Sequence, residues 1–182
     1  KKNFINLMKN KKLSIEEDFS LARQYHKEKK FKDAENLYKK ILDIDSNHIK
    51  SIFLLGSLQI QTKNFKSSVE TLTKVIQIHP NHKIALNYLG IAFYELGEHK
   101  KATEYYKKSI QIDPNKTDAY WNLHSHASNI DEALNILKKL YKIDNTFTNS
   151  KIMISALNAY KGNFNDFNDL MKSTNSNNPM TR

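Results

Sequence analysis

The sequence predicts an all-α protein built as an array of stacked, antiparallel helix pairs. Three observations lead to this fold class. The chain repeats itself every 34 residues, its apolar residues recur at helical spacing within each copy, and its 182 residues include only four glycines and three prolines. Self-similarity at such a period is typical of stacked supersecondary units. A low content of turn residues favours long helices over a turn-rich β protein.

The repeat is visible when three segments of equal length are aligned without a gap. Leucine stands in one column, a small residue in the next, and an aromatic or leucine in a later one. These columns hold Leu21, Leu55 and Leu89; Ala22, Gly56 and Gly90; and Tyr38, Leu72 and Tyr106. We predict a basic lead over residues 1–12, an array over residues 13–173 and a polar tail over residues 174–182. The predicted repeats cover about residues 15–48, 49–82, 83–116, 117–147 and 148–173.

Each copy is expected to contain two helices of roughly a dozen residues. In the third copy, Gly97 separates two apolar stripes, which suits a left-handed residue at a helix end. Pro114 marks the end of the second helix because proline cannot continue it. A single pair cannot bury both stripes, so neighbouring pairs have to stack.

These residues give the chain a clear resemblance to the tetratricopeptide repeat family. All four glycines fall in two repeat columns, and the pattern covers residues 15–144 well and residues 148–173 weakly. The resemblance implies a right-handed superhelical array of about five repeats, of which the last two are divergent. The third copy carries the family pattern as Leu86, Leu89, Gly90, Phe93, Ala102, Tyr106, Ser109 and Pro114.

The fourth copy, which contains "AYWNLHSHASNIDEAL", is three residues shorter than the others. Because three residues approach one helical turn, we expect its first helix to be about a turn shorter. Ser128 or Asn129 is expected to cap the second helix, with Asp131 and Glu132 in its first turn.

Two histidines in that copy, His124 and His126, are not expected to bind a metal ion. Residues at i and i+2 on a helix point about 200° apart, and a zinc pair on a helix needs i, i+4 spacing. We therefore interpret them as packing or surface residues of an altered repeat.

The two ends of the array carry their own signals. Ser14 and Glu17 form a capping-box pattern, which predicts that the first helix opens there. In the fifth copy an apolar stripe with polar flanks predicts a terminal capping helix; the stripe consists of Phe167, Leu170 and Met171. The start without methionine and the linker-like end lead us to expect a piece of a longer protein.

The resemblance also implies where a partner binds, since the first helix of each pair lines a concave groove in this family. We expect these positions to be solvent-exposed in an empty groove, and large apolar residues there mark a contact site. The candidate groove residues are Phe19, Arg23, Phe53, Ser57, Ile60, Asn87, Ile91, Tyr94 and Trp121.

Some members of the family hold a C-terminal carboxylate with a clamp of lysine, arginine and asparagine. Here only one of the corresponding positions is basic, so a carboxylate-clamp ligand is not expected; the positions hold Phe19, Arg23, Leu54, Ile84 and Tyr88. The lysine column of the second helices is interpreted as a solvated outer face; it consists of Lys40, Lys74, Lys108 and Lys139.

Composition excludes several function classes. Cysteine is absent, and half of the net charge of +10 lies in residues 1–12, which hold five lysines and no acid. The remaining surplus is too small to predict specific nucleic-acid binding. No run is long enough to span a membrane, and a cytoplasmic location is weakly favoured. No catalytic, cofactor or metal motif is found, so we predict that the chain is not an enzyme and needs no cofactor.

Three functional hypotheses remain. The first is a scaffold that binds a protein or peptide in its groove. The second is an N-terminal docking or regulatory region of a larger modular glycosyl-, sulfo- or methyltransferase, because similar arrays precede such domains. The third is self-association into a homo-oligomer, in which the groove captures the basic lead of a neighbouring copy.

Overall fold

The computed structural model describes residues 2–165 and residue 168, and for residues 2–12 it describes the backbone alone. Within this part of the chain the structure is all-α, as predicted, and consists of nine helices. They are α1 (Lys2–Lys27), α2 (Phe31–Ile44), α3 (Ile49–Gln61), α4 (Phe65–Ile78), α5 (Lys83–Glu95), α6 (His99–Ile112), α7 (Thr117–His124), α8 (Ile130–Ile143) and α9 (Thr148–Tyr160). The predicted capping stripe of Phe167, Leu170 and Met171 and the polar tail of residues 174–182 lie outside the described residues.

The chain divides into two compact units, residues 1–105 and 106–182, with the boundary inside α6. In the first unit, α1 packs against α2, α2 against α3, α3 against α4 and α4 against α5. Helix α3 also contacts α5 directly, so the first helices of successive pairs are neighbours. This is the stacking that the two apolar stripes of each copy require.

The core of the first unit is built where repeat columns place small residues opposite large ones. Gly56 on α3 faces the fully buried Leu72 on α4, and a Cβ at Gly56 would lie only 2.6 Å from Leu72 Cγ and Cδ2. Next to this contact the buried Ser68 Oγ donates a hydrogen bond to the Gly56 carbonyl at 2.9 Å. The small column therefore lets the two helices of a pair approach closely.

The turns inside the first three pairs share one backbone design. The residue at the left-handed position has φ 60° at Lys29, 60° at Lys63 and 77° at Gly97. In each turn the next amide donates to the carbonyl five residues earlier, at 2.9, 2.7 and 2.9 Å respectively. This bond closes the helix end in a Schellman-type motif, for which glycine is the usual residue.

In the second unit α7 packs against α8 and α8 against α9. Helix α7 has 8 residues whereas α3 and α5 each have 13, which confirms the predicted shortening. Asn129 is the N-cap of α8, and its side chain accepts a hydrogen bond from the Glu132 amide at 2.9 Å. Asp131 and Glu132 occupy the first turn as predicted. The cap lets α8 begin without a longer connection.

The predicted start of the first helix is wrong. Helix α1 begins at Lys2, so Ser14 and Glu17 lie within it and form no N-cap. Residues 2–13 contain neither glycine nor proline, and most are good helix formers. A capping pattern acts only at a helix end, so here the propensity of the preceding residues prevails. The backbone of the basic lead is thus continuous with α1 from Lys2 onward.

Candidate functional site

The nine candidate groove residues lie on α1, α3, α5 and α7 with very different exposure. Phe19, Ser57 and Asn87 are buried, with exposures of 8%, 6% and 2%. The expectation that these positions are solvent-exposed is therefore wrong for these three. In the first unit Arg23 and Tyr94 are exposed and Phe53, Ile60 and Ile91 are half-buried; in the second unit Trp121 is half-buried.

Aromatic residues at the fifth position of a repeat pack against the residue that precedes the next repeat. In the first unit the Phe19 ring lies 5.2 Å from that of His48, and the Phe53 ring 4.8 Å from that of His82. His48 and His82 are the N-cap residues of α3 and α5. Each aromatic therefore fixes the start of the following first helix, which explains why it is withdrawn from solvent.

The second unit repeats this arrangement with different residues. The Trp121 ring lies 5.3 Å from that of Phe147, the N-cap residue of α9. The Trp121 ring also packs on that of His124, with ring centroids 4.4 Å apart. We call the three pairs Phe19–His48, Phe53–His82 and Trp121–Phe147 the aromatic staples.

The third repeat has no aromatic staple. Its fifth position is Asn87, which is buried at 2% exposure, and Lys116 is the N-cap residue of α7. Sequence reasoning missed the staples because it treated the fifth position only as groove surface. A signal was present, since a ring precedes three of the first helices, at His48, His82 and Phe147.

Burial lowers the pKa of several histidines in the structure. Nδ1 of His82 accepts a hydrogen bond from the Ala85 amide at 3.1 Å, so it caps α5 only while unprotonated at that atom. Burial lowers the pKa of His82 below its ordinary value of 6.5. Burial likewise lowers the pKa of His26, against an opposing effect of its hydrogen bond with Gln61. The neighbouring Tyr38 has its pKa raised to about 12 by burial.

The two histidines of the fourth copy contact different partners. His124 Nδ1 donates a hydrogen bond to the Trp121 carbonyl, and burial lowers the pKa of His124. His126 packs on Tyr106, with ring centroids 5.6 Å apart. In the described part of the chain no three histidines or carboxylates come together in a group that could hold a metal ion.

Acidification is expected to destabilise the folded chain as the pH falls through about 6.5, the ordinary histidine pKa. His26, His82 and His124 have folded-state pKa values below 6.5, so the unfolded chain binds more protons near this pH. Stability is therefore complete above the unfolded pKa and is lost as pH falls toward the folded values. Thermal unfolding followed by circular dichroism at several pH values measures the slope of the unfolding midpoint against pH.

A His82→Asn variant provides the control for this slope. Asparagine is a good N-cap but does not titrate, so part of the slope should disappear while α5 keeps its cap. Glu28, Glu132 and Asp144 have pKa values below their ordinary ones, so these carboxylates act at lower pH and do not contribute to this slope. A midpoint that stays constant or rises on acidification to pH 5.5 would contradict the prediction.

The first helices of the first unit nevertheless present an accessible apolar surface. Ile84 and Tyr94 on α5 are 36% and 43% exposed, and the half-buried Ile91 lies between them on the same face. Ile60 on α3 and Arg23 on α1 occupy groove positions of the preceding repeats. We call the first helix of each pair its A helix. We define the A-helix face as the surface formed by Arg23, Ile60, Ile84, Ile91 and Tyr94.

Comparisons with known proteins agree with this architecture. Two family models, both described as tetratricopeptide repeat, match residues 25–89 and 84–116. The fold and the repeated sequence define an α-helical repeat protein. The chain belongs to the tetratricopeptide repeat family. Among curated proteins, none matches the sequence significantly.

Solved structures show the same fold at low sequence identity. MamA 41-end from Desulfovibrio magneticus RS-1 is 14% identical, with a TM-score of 0.79 over 91% of this chain and 97% of that one. YrrB, described as a TPR protein with an unusual peptide-binding site, is 19% identical, with a TM-score of 0.67 over 82% and 78%. The first TPR of Spaghetti (RPAP3), bound to the HSP90 peptide SRMEEVD, is 18% identical, with a TM-score of 0.61 over 63% and 90%.

The fold shared with these structures is one that protein-interaction scaffolds use, and one of the three solved examples holds a peptide. None of the helices in the described part of the chain is long and apolar enough to cross a membrane.

Proposed function

We propose that this chain is a non-catalytic interaction module that binds an extended or helical segment of a partner protein on its A-helix face. The observation that carries the proposal is the exposed stripe on α5. Ile84, Ile91 and Tyr94 are large apolar residues on one face, and Tyr94 remains 43% exposed while its ring contacts that of His99 at 5.3 Å. A surface of this kind favours a protein contact.

The chemistry of the face favours apolar side chains in the ligand. Ile60 extends the apolar surface onto α3, and Arg23 is its basic residue on α1, held 5.9 Å above the Phe19 ring. Phe19, which replaces the first clamp residue, is buried in its staple. The proposed ligand is therefore anchored by apolar or aromatic side chains and not by a terminal carboxylate.

Because the aromatic staples stabilise the fold, substitutions that test binding should lie outside them. Phe53 packs against His82 and Tyr88, with ring centroids 4.8 and 5.7 Å away. Replacing Phe53 or Trp121 therefore disturbs the fold together with any binding. Ile91 and Tyr94 are better choices because they take part in no staple.

The expected result is that Ile91→Gln/Tyr94→Gln loses a partner that the wild-type chain captures from a cell lysate. Anchor residues of this type contribute about 2 kcal/mol or more each, so each substitution alone should lower affinity at least about 30-fold and the pair should lower it further. The captured protein is identified by mass spectrometry, and its binding segment is then titrated as a labelled peptide against both chains.

A matched control places the same change on other surfaces. Leu21→Gln/Ile78→Gln alters two residues that are 39% and 40% exposed on α1 and α4, and it should retain the partner. Equal loss in both variants, or equal binding by both, would rule out the A-helix face. Capture of a second copy of this chain would favour the self-association hypothesis instead.

A further inference from the structure

The first two turns between paired helices bring a cluster of lysines to one edge of the first unit. His26 Nε2 at the end of α1 and Gln61 Nε2 at the end of α3 lie 3.0 Å apart, so these helix ends are side by side. The turns that follow them, residues 28–30 and 62–64, therefore share an edge. We define the basic edge by five exposed residues, Lys27, Lys29, Lys32, Lys63 and Lys66.

The charge of this edge is not compensated locally. Residues 26–33 contain two acids, Glu28 and Asp33, and Glu28 is already paired with Lys30 at 2.7 Å. Residues 60–67 contain no acid. None of the five lysines of the basic edge forms an ion pair with a side chain that the structure describes. The third turn differs, because Glu95 and Glu98 there balance its two lysines.

Two of these lysines stand where the backbone disfavours them. Lys29 and Lys63 have φ 60°, in the left-handed region where the equivalent residue of the third repeat is Gly97. A side chain in that region costs energy that glycine avoids. Attraction to the helix C-terminus offsets part of the cost, but a helical position in the last turn serves that purpose without strain, as Lys27 does. Strain of this kind concentrates at functional positions.

We propose that the basic edge binds an acidic polypeptide segment rich in Asp and Glu. Neighbouring helices are about 8–10 Å apart, and alternate residues of an extended chain are about 7 Å apart. An extended acidic segment therefore offers a carboxylate to each turn in succession. A single-stranded nucleic acid fits less well because it needs exposed rings for stacking, and His26, Phe31 and Phe65, whose rings belong to the helix ends at this edge, are half-buried.

The test uses a fluorescein-labelled peptide of eight alternating Asp and Glu residues, titrated with the full chain at low salt by fluorescence anisotropy. Lys29→Gly/Lys63→Gly should weaken binding about tenfold, from two exposed ion pairs. The same variant should unfold at an equal or higher temperature, since the strain is removed. Lys29→Arg/Lys63→Arg keeps charge and strain, so it should bind within about twofold of the wild type.

Lys50→Gln/Lys74→Gln removes the same charge elsewhere in the first unit and should bind within about twofold of the wild type. Three results would overturn the proposal. They are absence of peptide binding by the wild type, an equal loss in this control, and tighter binding of labelled octathymidylate that depends on Lys29 and Lys63. The last result would make the edge a nucleic-acid site.

Discussion

Replacing Leu72 by alanine is expected to lower the free energy of unfolding of the first unit by about 2–5 kcal/mol. Leu72 on α4 is fully buried and packs against the backbone of Gly56 on α3. Truncating Leu72 removes apolar contacts from the core, and it also removes the close contact between α3 and α4. Urea unfolding followed by far-UV circular dichroism measures the change.

Gly56→Ala makes this prediction more specific, because its sign should depend on Leu72. In the wild type the new Cβ would lie 2.6 Å from Leu72 Cγ and Cδ2. Overpacking of that kind costs about 1–3 kcal/mol, more than the roughly 1 kcal/mol that alanine gains in a helix. In the Leu72→Ala background those two atoms are gone, so Gly56→Ala should stabilise the protein by about 1 kcal/mol.

Gly97→Ala serves as the control for this cycle. A Cβ at Gly97 meets nothing within 4 Å, so its cost comes from the positive φ of 77° alone. Its effect should therefore add to that of Leu72→Ala without coupling. If Gly56→Ala destabilises equally in both backgrounds, the close α3–α4 contact does not restrict that position.

Much of the fold could be predicted because the repeat period encodes it. The columns of Gly56 and Leu72 placed the helix pairs, and the missing three residues of the fourth copy predicted a short α7. The same segment predicted Ser128 or Asn129 as the cap of α8, and the structure shows Asn129 there. The start of α1 was missed because a capping pattern is local. Ser14 can cap a helix only if the chain before it is not already helical, which depends on the preceding residues.

The site was less predictable because a repeat column does not state what lies opposite it. Phe19 and Phe53 occupy groove positions by register, but His48 and His82, the residues that precede the following repeats, pack against them. The strained backbone of Lys29 and Lys63 was likewise not predicted from the sequence. They share a repeat column with Gly97, which indicates a left-handed turn. A lysine in that column, however, is easily interpreted as an ordinary solvent-exposed residue.

Trp121→Ala is expected to destabilise the second unit by about 2–3 kcal/mol. A fully buried tryptophan costs about 3–5 kcal/mol when truncated, and Trp121 is half-buried. Part of its contribution comes from rings 4.4 Å away at His124 and 5.3 Å away at Phe147, since such pairs add about 0.5–1.5 kcal/mol. Phe147 is the N-cap residue of α9. We therefore expect Trp121→Ala to accelerate hydrogen exchange of the α9 amides more than that of the α8 amides.

Hydrogen exchange of the wild type and the variant distinguishes a staple from a ligand anchor. Tyr160→Ala is the matched control, because Tyr160 lies on α9 at 81% exposure, and its effect should stay within about 0.5 kcal/mol. A Trp121→Ala variant with unchanged stability and unchanged α9 protection would show that the ring is available to a partner. The expected loss of protection means instead that the fifth position holds successive repeats together and leaves binding to Ile91 and Tyr94.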